Sequence, residues 1–297
     1  MQTLSEIKAL LAGRGIRPKH RFGQNFLHDH NQLRKLVESA AVRPGELVVE
    51  VGPGTGTLTE TLVEAGAEVI ACEIDHDMQA IVTERLGDRV RLIAGDCLDG
   101  KHALSAELID ALAGRPFVLV ANLPYNAATP LMALLAARHP ECRGQFVTVQ
   151  KEVSDRIRAA PNTREYGALS VLLQLLCEVR EIAVVRPGSF WPAPEVTSAM
   201  IALVRRADTP FASGDEIAAF ERFTHELFSK RRKQLGAILR RAGLASGDTL
   251  RLPPGVTPEL RPEALDPPTL LALMRIAQAD ANPAPNPDGG ADHSGLR

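Results

Sequence analysis

The stretch ELVVEVGPGTGTLTETLVEAG, residues 46–66, decides the fold that we expect for this chain. An apolar run is followed by three glycines, Gly52, Gly54 and Gly56, and then by a helical pattern of apolar positions. Glycine accepts a positive φ and lets a ligand approach the backbone where a Cβ would otherwise stand. A glycine-rich turn between a strand and a helix is typical of α/β domains that bind nucleotide-like ligands.

On both sides of this stretch, short apolar runs alternate with helical patterns. The predicted strands are 46–52, 68–75, 89–97, 117–123, 144–150, 181–185 and 199–206. This alternation predicts a Rossmann-like α/β fold, a mostly parallel seven-stranded sheet with helices on both faces. The last two runs leave no room for a crossover helix, so we expect them to form an antiparallel hairpin at the sheet edge.

A second, smaller domain is expected after the polar linker at 205–216. Helical patterns cover 216–243, with one break, and 257–279, which together predict a small all-helical C-terminal domain. The Pro-rich segment 280–297 has too few apolar residues to form a core and is expected to be disordered. The predicted domains are therefore 1–207, with a basic N-terminal run, and 208–279, followed by the tail at 280–297.

Acidic side chains lie at the ends of the second and third predicted strands. Glu73 is near the end of the second, and Asp96 is near the end of the third. In open α/β sheets, ligands bind outside the carboxyl ends of the strands, and an acid after the second strand often accepts hydrogen bonds from ribose hydroxyls. Together with the glycines, these acids predict an adenosine-type cofactor. The spacing GxGxG differs from the GxGxxG of dinucleotide sites, but spacing alone leaves S-adenosylmethionine and nicotinamide cofactors both open.

The composition excludes several classes of protein. The 297 residues are 45% hydrophobic with a net charge of −2, as in ordinary globular proteins. No apolar stretch approaches the roughly 20 residues needed to cross a bilayer, so we expect a cytoplasmic protein without a membrane partner. The four cysteines are scattered without a CxxC pair, which favours small buried thiols and no metal site.

Positive charge is concentrated in two runs. Residues 14–23 contain four arginines and lysines, residues 227–243 contain six, and neither run contains an acid. In a chain that is nearly neutral overall, such runs favour a polyanionic partner such as a nucleic acid.

The fourth predicted strand runs into the turn ANLPYN, residues 121–126, which contains an amide, a proline and a tyrosine but no acid, base or nucleophile. This turn resembles the Asn/Asp-x-Pro-aromatic motif of the S-adenosylmethionine-dependent N6-adenine methyltransferases. Six further segments resemble, in the same order, those of the ribosomal RNA adenine dimethyltransferase family, and most closely its KsgA/RsmA branch. They are RFGQNFLHD (21–29), VEVGPGTGTLT (49–59), VQKEVSDRI (149–157), YGALSVL (166–172), PGSFWPAPEVTSAM (187–200) and FSKRRKQL (228–235).

The resemblance implies a monomeric methyltransferase that uses S-adenosylmethionine. It further implies dimethylation of two adjacent adenines in the 3′-terminal hairpin of small-subunit (16S) rRNA, on a precursor of the small ribosomal subunit. Two alternatives stay open on the residues alone. One is an Erm-type enzyme that modifies large-subunit (23S) rRNA, and the other is a mainly non-catalytic ribosome-assembly or nucleic-acid-binding factor.

Elementary chemistry explains why such a turn would suit methylation of adenine. The N6 amino group is a poor nucleophile but the sulfonium donor is highly activated, so positioning and electrostatic support are the main requirements. The side-chain oxygen of Asn122 and the carbonyl of Leu123 would accept the two amino hydrogens. Pro124 stiffens the turn and Tyr125 offers a ring for base stacking. The resemblance implies that Phe190 flanks the base on the other side.

The resemblance also implies further contacts. Those expected for the cofactor are at Asn25, Leu27, Gly52, Gly54, Glu73, Asp96 and Asn122. Those expected for RNA are at Arg21, Arg156, Arg158, Lys230, Arg231, Arg232 and Lys233, where cations would contact phosphates regardless of base sequence.

Overall fold

The computed structural model describes residues 1–100, 102–241 and 250–281, with side chains up to residue 279. The helices of these ranges are α1 Leu4–Ala12, α2 His30–Ala40, α3 Thr57–Glu64, α4 His76–Leu86, α5 Ala106–Leu112, α6 Tyr125–Arg138, α7 Lys151–Arg158, α8 Ala168–Leu176, α9 Gly214–Ser229, α10 Leu235–Arg241 and α11 Pro267–Ala281. The strands are β1 Phe26–Leu27, β2 Leu47–Val51, β3 Glu68–Glu73, β4 Val90–Ala94, β5 Leu98–Asp99, β6 Ala103–Leu104, β7 Phe117–Asn122, β8 Cys142–Gln150, β9 Cys177–Val185, β10 Phe190–Trp191 and β11 Ser198–Arg205.

A seven-stranded sheet with the order β4-β3-β2-β7-β8-β11-β9 forms the centre of the fold. The five strands from β4 to β8 pair in parallel. Every residue of β2 is buried, as are the first five of β7, because helices cover both faces of the parallel part. The predicted Rossmann-like α/β sheet is therefore confirmed.

The last two strands of the sheet form the predicted antiparallel hairpin. β11 pairs antiparallel with both β8 and β9, so β9 is the edge strand. Strand β9 starts at Cys177, four residues before the predicted start at Glu181. The alternation of apolar and polar residues from Cys177 to Arg180 explains the difference, because an edge strand half covered by helices does not require a continuous apolar run.

The strand order reverses between β2 and β7. The chain adds β3 and β4 on one side of β2 and then returns to place β7 on the other side. A crevice opens at such a reversal, outside the carboxyl ends of the two strands. This crevice lies next to the glycine turn that follows β2 and the ANLPYN turn that follows β7.

Contacts divide the chain into two compact units after Ala218, which lies inside α9. In the second unit, α9 and α10 are separate helices, which confirms the predicted break within 216–243. The continuous helix predicted over 257–279 is wrong: a single 3-10 turn, Pro262–Ala264, precedes α11. The prolines at 258, 262 and 267 explain the late start, since proline lacks the N–H that a helix interior needs.

The remaining predictions for the C-terminal region concern, in part, residues that the structure does not describe. The domain boundary predicted at 207/208 stays a prediction, as does disorder of the tail, because residues 282–297 are not described. Residues 280 and 281 belong to the end of α11.

All four cysteines, Cys72, Cys97, Cys142 and Cys177, are free and buried, as predicted. Burial raises the pKa of the Cys177 thiol to about 11, so this thiol is protonated at neutral pH. Among the described residues, no helix is long and apolar enough to cross a membrane.

Helix α6 connects the ANLPYN turn to the far side of the sheet. It begins at Tyr125 and contains Pro130, which cannot donate a hydrogen bond to the carbonyl of Asn126. At its other end, Nη2 of Arg205 donates to the carbonyls of Leu135 (3.0 Å), Ala136 (2.8 Å) and His139 (3.0 Å). A cation at a helix C-terminus also opposes the negative end of the helix dipole.

We predict that Arg205→Ala lowers the free energy of unfolding by about 2–4 kcal/mol, because charge-assisted hydrogen bonds to partly buried carbonyls are lost together. Urea denaturation followed by circular dichroism measures the change. Arg205→Lys is the matched variant: it keeps the charge but lacks the planar fork, so its loss should be intermediate. An Ala variant as stable as the unmodified chain would contradict this role of Arg205.

Candidate cofactor and substrate site

One cleft, at the reversal point of the sheet, brings together all seven residues predicted to bind cofactor. They are Asn25, Leu27, Gly52, Gly54, Glu73, Asp96 and Asn122, and Pro124 of the ANLPYN turn lines the cleft beside them. They come from segments that are far apart in the sequence and meet because β2, β3, β4 and β7 end at the same edge. The side chains of Leu123, Tyr125 and Phe190 do not line this cleft.

The glycine turn after β2 has no room for side chains. Gly52 has φ +73° and Gly54 has φ +57°, a region that L-residues with side chains rarely adopt. A Cβ on Gly52 would stand 3.2 Å from Cγ of Pro124, and one on Gly54 would stand 2.9 Å from Cε1 of Phe26. The turn thus packs directly against the ANLPYN turn and leaves its backbone open to a ligand.

Glu73, at the end of β3, is a buried carboxylate held by backbone donors. Its Oε2 accepts from the N–H of Gly54 (3.2 Å), and its Oε1 accepts from the N–H of Asp75 (2.9 Å). Burial raises the pKa of Glu73, although these two hydrogen bonds oppose the shift. Asp96 lies at the next strand end, where its side chain accepts from the N–H of Leu98 (3.0 Å) and stays exposed to the cleft.

Glu50 is a site residue that the sequence analysis missed. It lies within β2, lines the cleft and is only 1% exposed, and its Oε2 has no hydrogen-bond partner among the described residues. Burial, together with the nearby charge of Glu73, raises the pKa of Glu50 to about 8, and the Thr59 hydroxyl partly offsets this shift. A single acid inside the apolar run LVVEV is the signal that could have identified it.

An apolar wall completes the cleft beside these acids. Ile74 follows Glu73 directly and leaves 45% of its surface exposed, which is unusual for a large aliphatic side chain. A flat apolar ring could cover this surface while its polar neighbours contact Glu73.

The Asn122 amide has a defined orientation. Its Nδ2 donates to the backbone carbonyl of Asn25 at 3.0 Å. A carbonyl oxygen only accepts, so the NH2 end of the amide must face Asn25 and the Oδ1 end must face away from it. Within the described residues Oδ1 has no hydrogen-bond donor, and Asn122 lines the cleft. The arrangement therefore presents one free acceptor at the end of β7.

The sheet fixes the residues that follow Asn122. The N–H of Leu123 donates to the carbonyl of Thr148 on β8 at 3.2 Å. The Tyr125 hydroxyl lies 2.9 Å from Oγ of Ser198, which is fully buried at the start of β11. Burial raises the pKa of Tyr125, with the Ser198 hydrogen bond opposing the shift. The ring of Tyr125 is thus held beside the turn by a neutral hydroxyl pair that the sequence analysis did not predict.

The segment of residues 19–27, hereafter the arm, covers one side of the cleft. Residues 22–27 line it, and two residues of the arm bind Asp75 beyond the end of β3. Although burial opposes it, hydrogen bonds from Lys19 and Gln24 lower the pKa of Asp75. Lys19 of the basic N-terminal run therefore pairs with an acid of its own chain.

Contrary to the prediction that Phe190 flanks the target base, its ring does not line the cleft. It is 3% exposed, belongs to the hydrophobic core and pairs with Leu27 in the short sheet of β1 and β10. Its neighbour Trp191 stacks on Phe26, with ring centroids 6.4 Å apart. The two aromatic residues of the GSFWPAP segment, Phe190 and Trp191, therefore anchor the arm. Neither Phe190 nor its strand partner Leu27 offers an exposed face on which a base could stack.

The predicted RNA-contacting residues are at the surface, and several have acidic partners. Arg21 is exposed on the arm, and Arg156 is exposed on α7. Nη1 of Arg158 lies 2.6 Å from Glu181. In the second unit, Lys230 pairs with Glu226 and Arg231 with Glu263. Arg232 and Lys233 follow them and are exposed.

Comparison with known proteins identifies the family. The sequence model of the family described as "Ribosomal RNA adenine dimethylase" matches residues 15–256. This chain belongs to the ribosomal RNA adenine dimethylase family. It is 38% identical over 272 residues to "Ribosomal RNA small subunit methyltransferase A" of Streptomyces griseus, covering 88% of this chain and 90% of the relative. The protein of the same name from Geobacter metallireducens is 37% identical over 278 residues, covering 91% of this chain and 98% of the relative.

Solved structures show the same fold. A dimethyladenosine transferase from Plasmodium falciparum superposes with a TM-score of 0.69 at 24% identity, over 86% of this chain and 98% of the other. The 23S rRNA methyltransferase ErmE superposes with a TM-score of 0.63 at 23% identity, over 86% of this chain and 100% of the other. At these identities the likeness concerns the fold.

We predict that Glu50→Gln stabilises the protein increasingly as pH rises from about 5 to 8. The folded chain retains a proton on Glu50 that the unfolded chain has lost between pH 4.5 and about 8, so stability falls with rising pH across that window. The glutamine variant lacks this loss, and the difference should grow by up to about 1.4 kcal/mol per pH unit. Urea denaturation at pH 5, 6, 7 and 8 measures it.

The matched control is Glu178→Gln, which removes an exposed carboxylate of β9 that water already solvates. Its pH dependence of unfolding should follow that of the unmodified chain. If the free energies of unfolding of Glu50→Gln and the unmodified chain differ by the same amount at every pH, Glu50 does not retain the proton that the prediction assigns to it.

Proposed function

We propose that this chain is an S-adenosylmethionine-dependent enzyme that dimethylates N6 of two adjacent adenines in the 3′-terminal hairpin of small-subunit rRNA. The observation that carries the proposal is the orientation of the Asn122 amide, with Nδ2 bound to the Asn25 carbonyl and Oδ1 free in the cleft. A free neutral acceptor suits an amino group that must donate two hydrogens while its lone pair reacts.

The cleft fits S-adenosylmethionine on three counts. The glycine turn lines the cleft with backbone, since Gly52 and Gly54 carry no side chain and have no room for one. Oε2 of the buried Glu50 lacks a partner, and a cation beside it would favour loss of its proton; the methionine end of the cofactor carries such a cation, an ammonium. Glu73 lies where ribose hydroxyls are bound in related α/β folds, beside the exposed apolar side chain of Ile74. When bound, the cofactor supplies an activated methyl group.

The chain's own residues then position the adenine. Oδ1 of Asn122 accepts one hydrogen of N6, and the Leu123 carbonyl, on the next residue of the turn, accepts the other. Both acceptors bind the amino group more strongly as positive charge develops on it, which favours the transition state over the ground state. The Tyr125 ring, fixed through Ser198, offers a stacking face for a base taken out of its helix. A proton leaves N6 to water after methylation, so no general base of the chain is required.

Small-subunit rRNA is favoured over large-subunit rRNA by the relatives. Those at 36–38% identity over most of the chain carry small-subunit names, whereas the likeness to ErmE concerns the fold. The precursor subunit as the natural substrate, a monomeric enzyme and action in the cytoplasm belong to the same proposal. Cations at Arg21, Arg156 and Arg232 would supply phosphate contacts, with specificity from RNA shape and unpaired bases.

The test of the function is transfer of tritium from labelled S-adenosylmethionine to unmethylated ribosomal particles. Label on small subunits supports the proposal, and label on large-subunit RNA alone supports an Erm-type activity instead. Label on neither, together with tight binding to small subunits, would support an assembly factor without catalysis.

We predict that Asn122→Ala lowers methyl transfer by about 100-fold or more, because the acceptor that charge development would strengthen is gone. Cofactor affinity should stay close to that of the unmodified chain, since the glycine turn, Glu50 and Glu73 are intact. Single-turnover assays with small subunits and calorimetry with cofactor alone measure the two quantities. Asn31→Ala, the same change in the exposed first turn of α2, is the control. Undiminished turnover of Asn122→Ala would exclude the proposed role.

We predict that replacing Arg232 and Lys233 with alanine reduces the salt dependence of RNA binding. Each lost phosphate contact should lower the slope of log K against log salt by about 1, hence about 2 for the pair. Fluorescence anisotropy with a hairpin RNA between 50 and 300 mM salt (on the order of the physiological range) measures it. Alanines at Arg34 and Lys35, two exposed cations of α2 without a predicted RNA contact, are the matched control. Equal slopes for the two double variants would exclude the contact.

A further inference from the structure

The arm joins two strand ends of the cleft. At one end, Nζ of Lys19 donates to Oδ1 of Asp75 (2.6 Å), and Nε2 of Gln24 donates to Oδ2 of the same carboxylate (2.7 Å). At the other end, the carbonyl of Asn25 accepts from Asn122. The arm therefore connects the region after β3, where a ribose would lie, with the reactive turn after β7.

We infer that Gln24 and Lys19 are positioning residues for methyl transfer: by fastening the arm to Asp75, they hold the Asn25 carbonyl that orients the Asn122 amide. This inference rests on the proposed function and deepens it. Neither residue would touch the reacting atoms, and both act through the arm.

The fastening at Asp75 joins a buried carboxylate to a partly exposed cation, since Asp75 is 2% exposed and the Lys19 side chain 29%. Both oxygens of Asp75 are used, Oδ1 by Lys19 and by the N–H of Asp77 (3.2 Å), and Oδ2 by Gln24. Nζ of Lys19 reaches Oδ2 of Asp77 as well, at 2.7 Å. Charge-assisted hydrogen bonds away from water are stronger than neutral ones, and breaking one leaves a buried charge with fewer partners. This end of the arm is consequently fixed.

Gln24 transmits this fixation along the backbone. Its Nε2 binds Asp75 while its Oε1 accepts from the N–H of Lys19 at 2.8 Å, so one side chain closes the turn of the arm and attaches it to the start of α4. The next residue is Asn25, whose side chain donates to the carbonyl of Gly23 (3.2 Å) and keeps the turn closed. A displacement of Gln24 therefore moves the Asn25 carbonyl directly.

The Asn25 carbonyl matters because the two ends of a primary amide are nearly equal in size and opposite in hydrogen-bonding character. With the carbonyl in place, the NH2 end of Asn122 has an acceptor and Oδ1 faces the cleft. Without it, the amide loses the partner that distinguishes its two orientations. The reversed orientation would place a donor against the adenine amino group, which also donates, and this arrangement cannot support the reaction.

The test uses Gln24→Ala and Lys19→Met in the full chain. Both variants should lower kcat about 10-fold to 100-fold at saturating S-adenosylmethionine, the range expected when a reactive group is displaced by about 1 Å. Cofactor dissociation, followed without RNA by intrinsic fluorescence in stopped flow, should also be faster, since the arm lines the cleft. If the variants reach the kcat of the unmodified chain at saturating cofactor, the arm only contributes to cofactor binding, and the inference is overturned.

Arg115→Met is the matched control for Lys19→Met. Arg115 pairs with Glu68 (2.8 Å) at the amino end of β3, the opposite end of the strand from Glu73 and Asp75. The change removes an ion pair to the strand that leads to Asp75 without touching the arm, so its kcat should equal that of the unmodified chain. An equal loss of kcat in Arg115→Met and Lys19→Met would indicate a general effect on β3 and overturn the inference.

In Gln24→Glu, kcat should recover when the pH is lowered, which a merely structural role of Gln24 would not produce. At neutral pH the introduced carboxylate faces Asp75 and has no proton to donate, whereas the same side chain, once protonated, donates as the amide does. The ratio of variant to unmodified kcat should therefore rise as pH is lowered from 8 to 5.5 (roughly the range in which a carboxyl crowded by another acid titrates). A ratio of one at every pH, with Gln24→Ala equally active, overturns the inference.

The activity of the unmodified chain distinguishes a failure of this inference from a failure of the proposed function. If it transfers no methyl group to ribosomal RNA, the proposed function fails and the positioning role fails with it. If it methylates small subunits and the arm variants match its kcat, only the inference about the arm is overturned.

Discussion

The site depends on the polarity of a single amide. Asn122 has one donor end and one acceptor end, and the main-chain carbonyl of Asn25 can pair only with the donor. This pairing decides which end of the amide faces the cleft. A charged catalyst in the same place would need its protonation state controlled, whereas an oriented amide provides a neutral acceptor over the whole physiological pH range. The acids of the site, Glu50 and Glu73, lie instead where a cofactor is expected.

The sheet supplies the rest of the arrangement. Because the strand order reverses between β2 and β7, the glycine turn and the ANLPYN turn face each other, and Pro124 occupies the volume that a side chain on Gly52 would need. Leu123 and Tyr125 are held from the other side by β8 and β11. The ANLPYN turn is thus fixed by contacts from both sides in the sheet, and the arm adds the contact between Asn25 and Asn122.

The local parts of this architecture could be predicted from the sequence, and the long-range parts could not. Continuous apolar runs predicted the parallel strands, and the short connection between the last two predicted the edge hairpin. The apolar period over 257–279 predicts a longer helix than α11, because it does not register the prolines at 258, 262 and 267 that delay the start of the helix. Glu50 was not predicted because it is distinguished by its burial, which depends on how the sheet packs. The pairs Asn122–Asn25 and Tyr125–Ser198 join residues that no local pattern connects, and Phe190 was given an exposed role although strand pairing buries it.

Pro130 gives helix α6 a point of weakness within its second turn, because the carbonyl of Asn126 has no N–H to receive there. Residues before this point are tied to the sheet, and residues after it are held by Arg205 at the far end. The missing hydrogen bond makes the second turn the easiest place for α6 to bend. A bend there would tilt the C-terminal part of the helix and leave the first turn, which follows Asn122, in its place on the sheet.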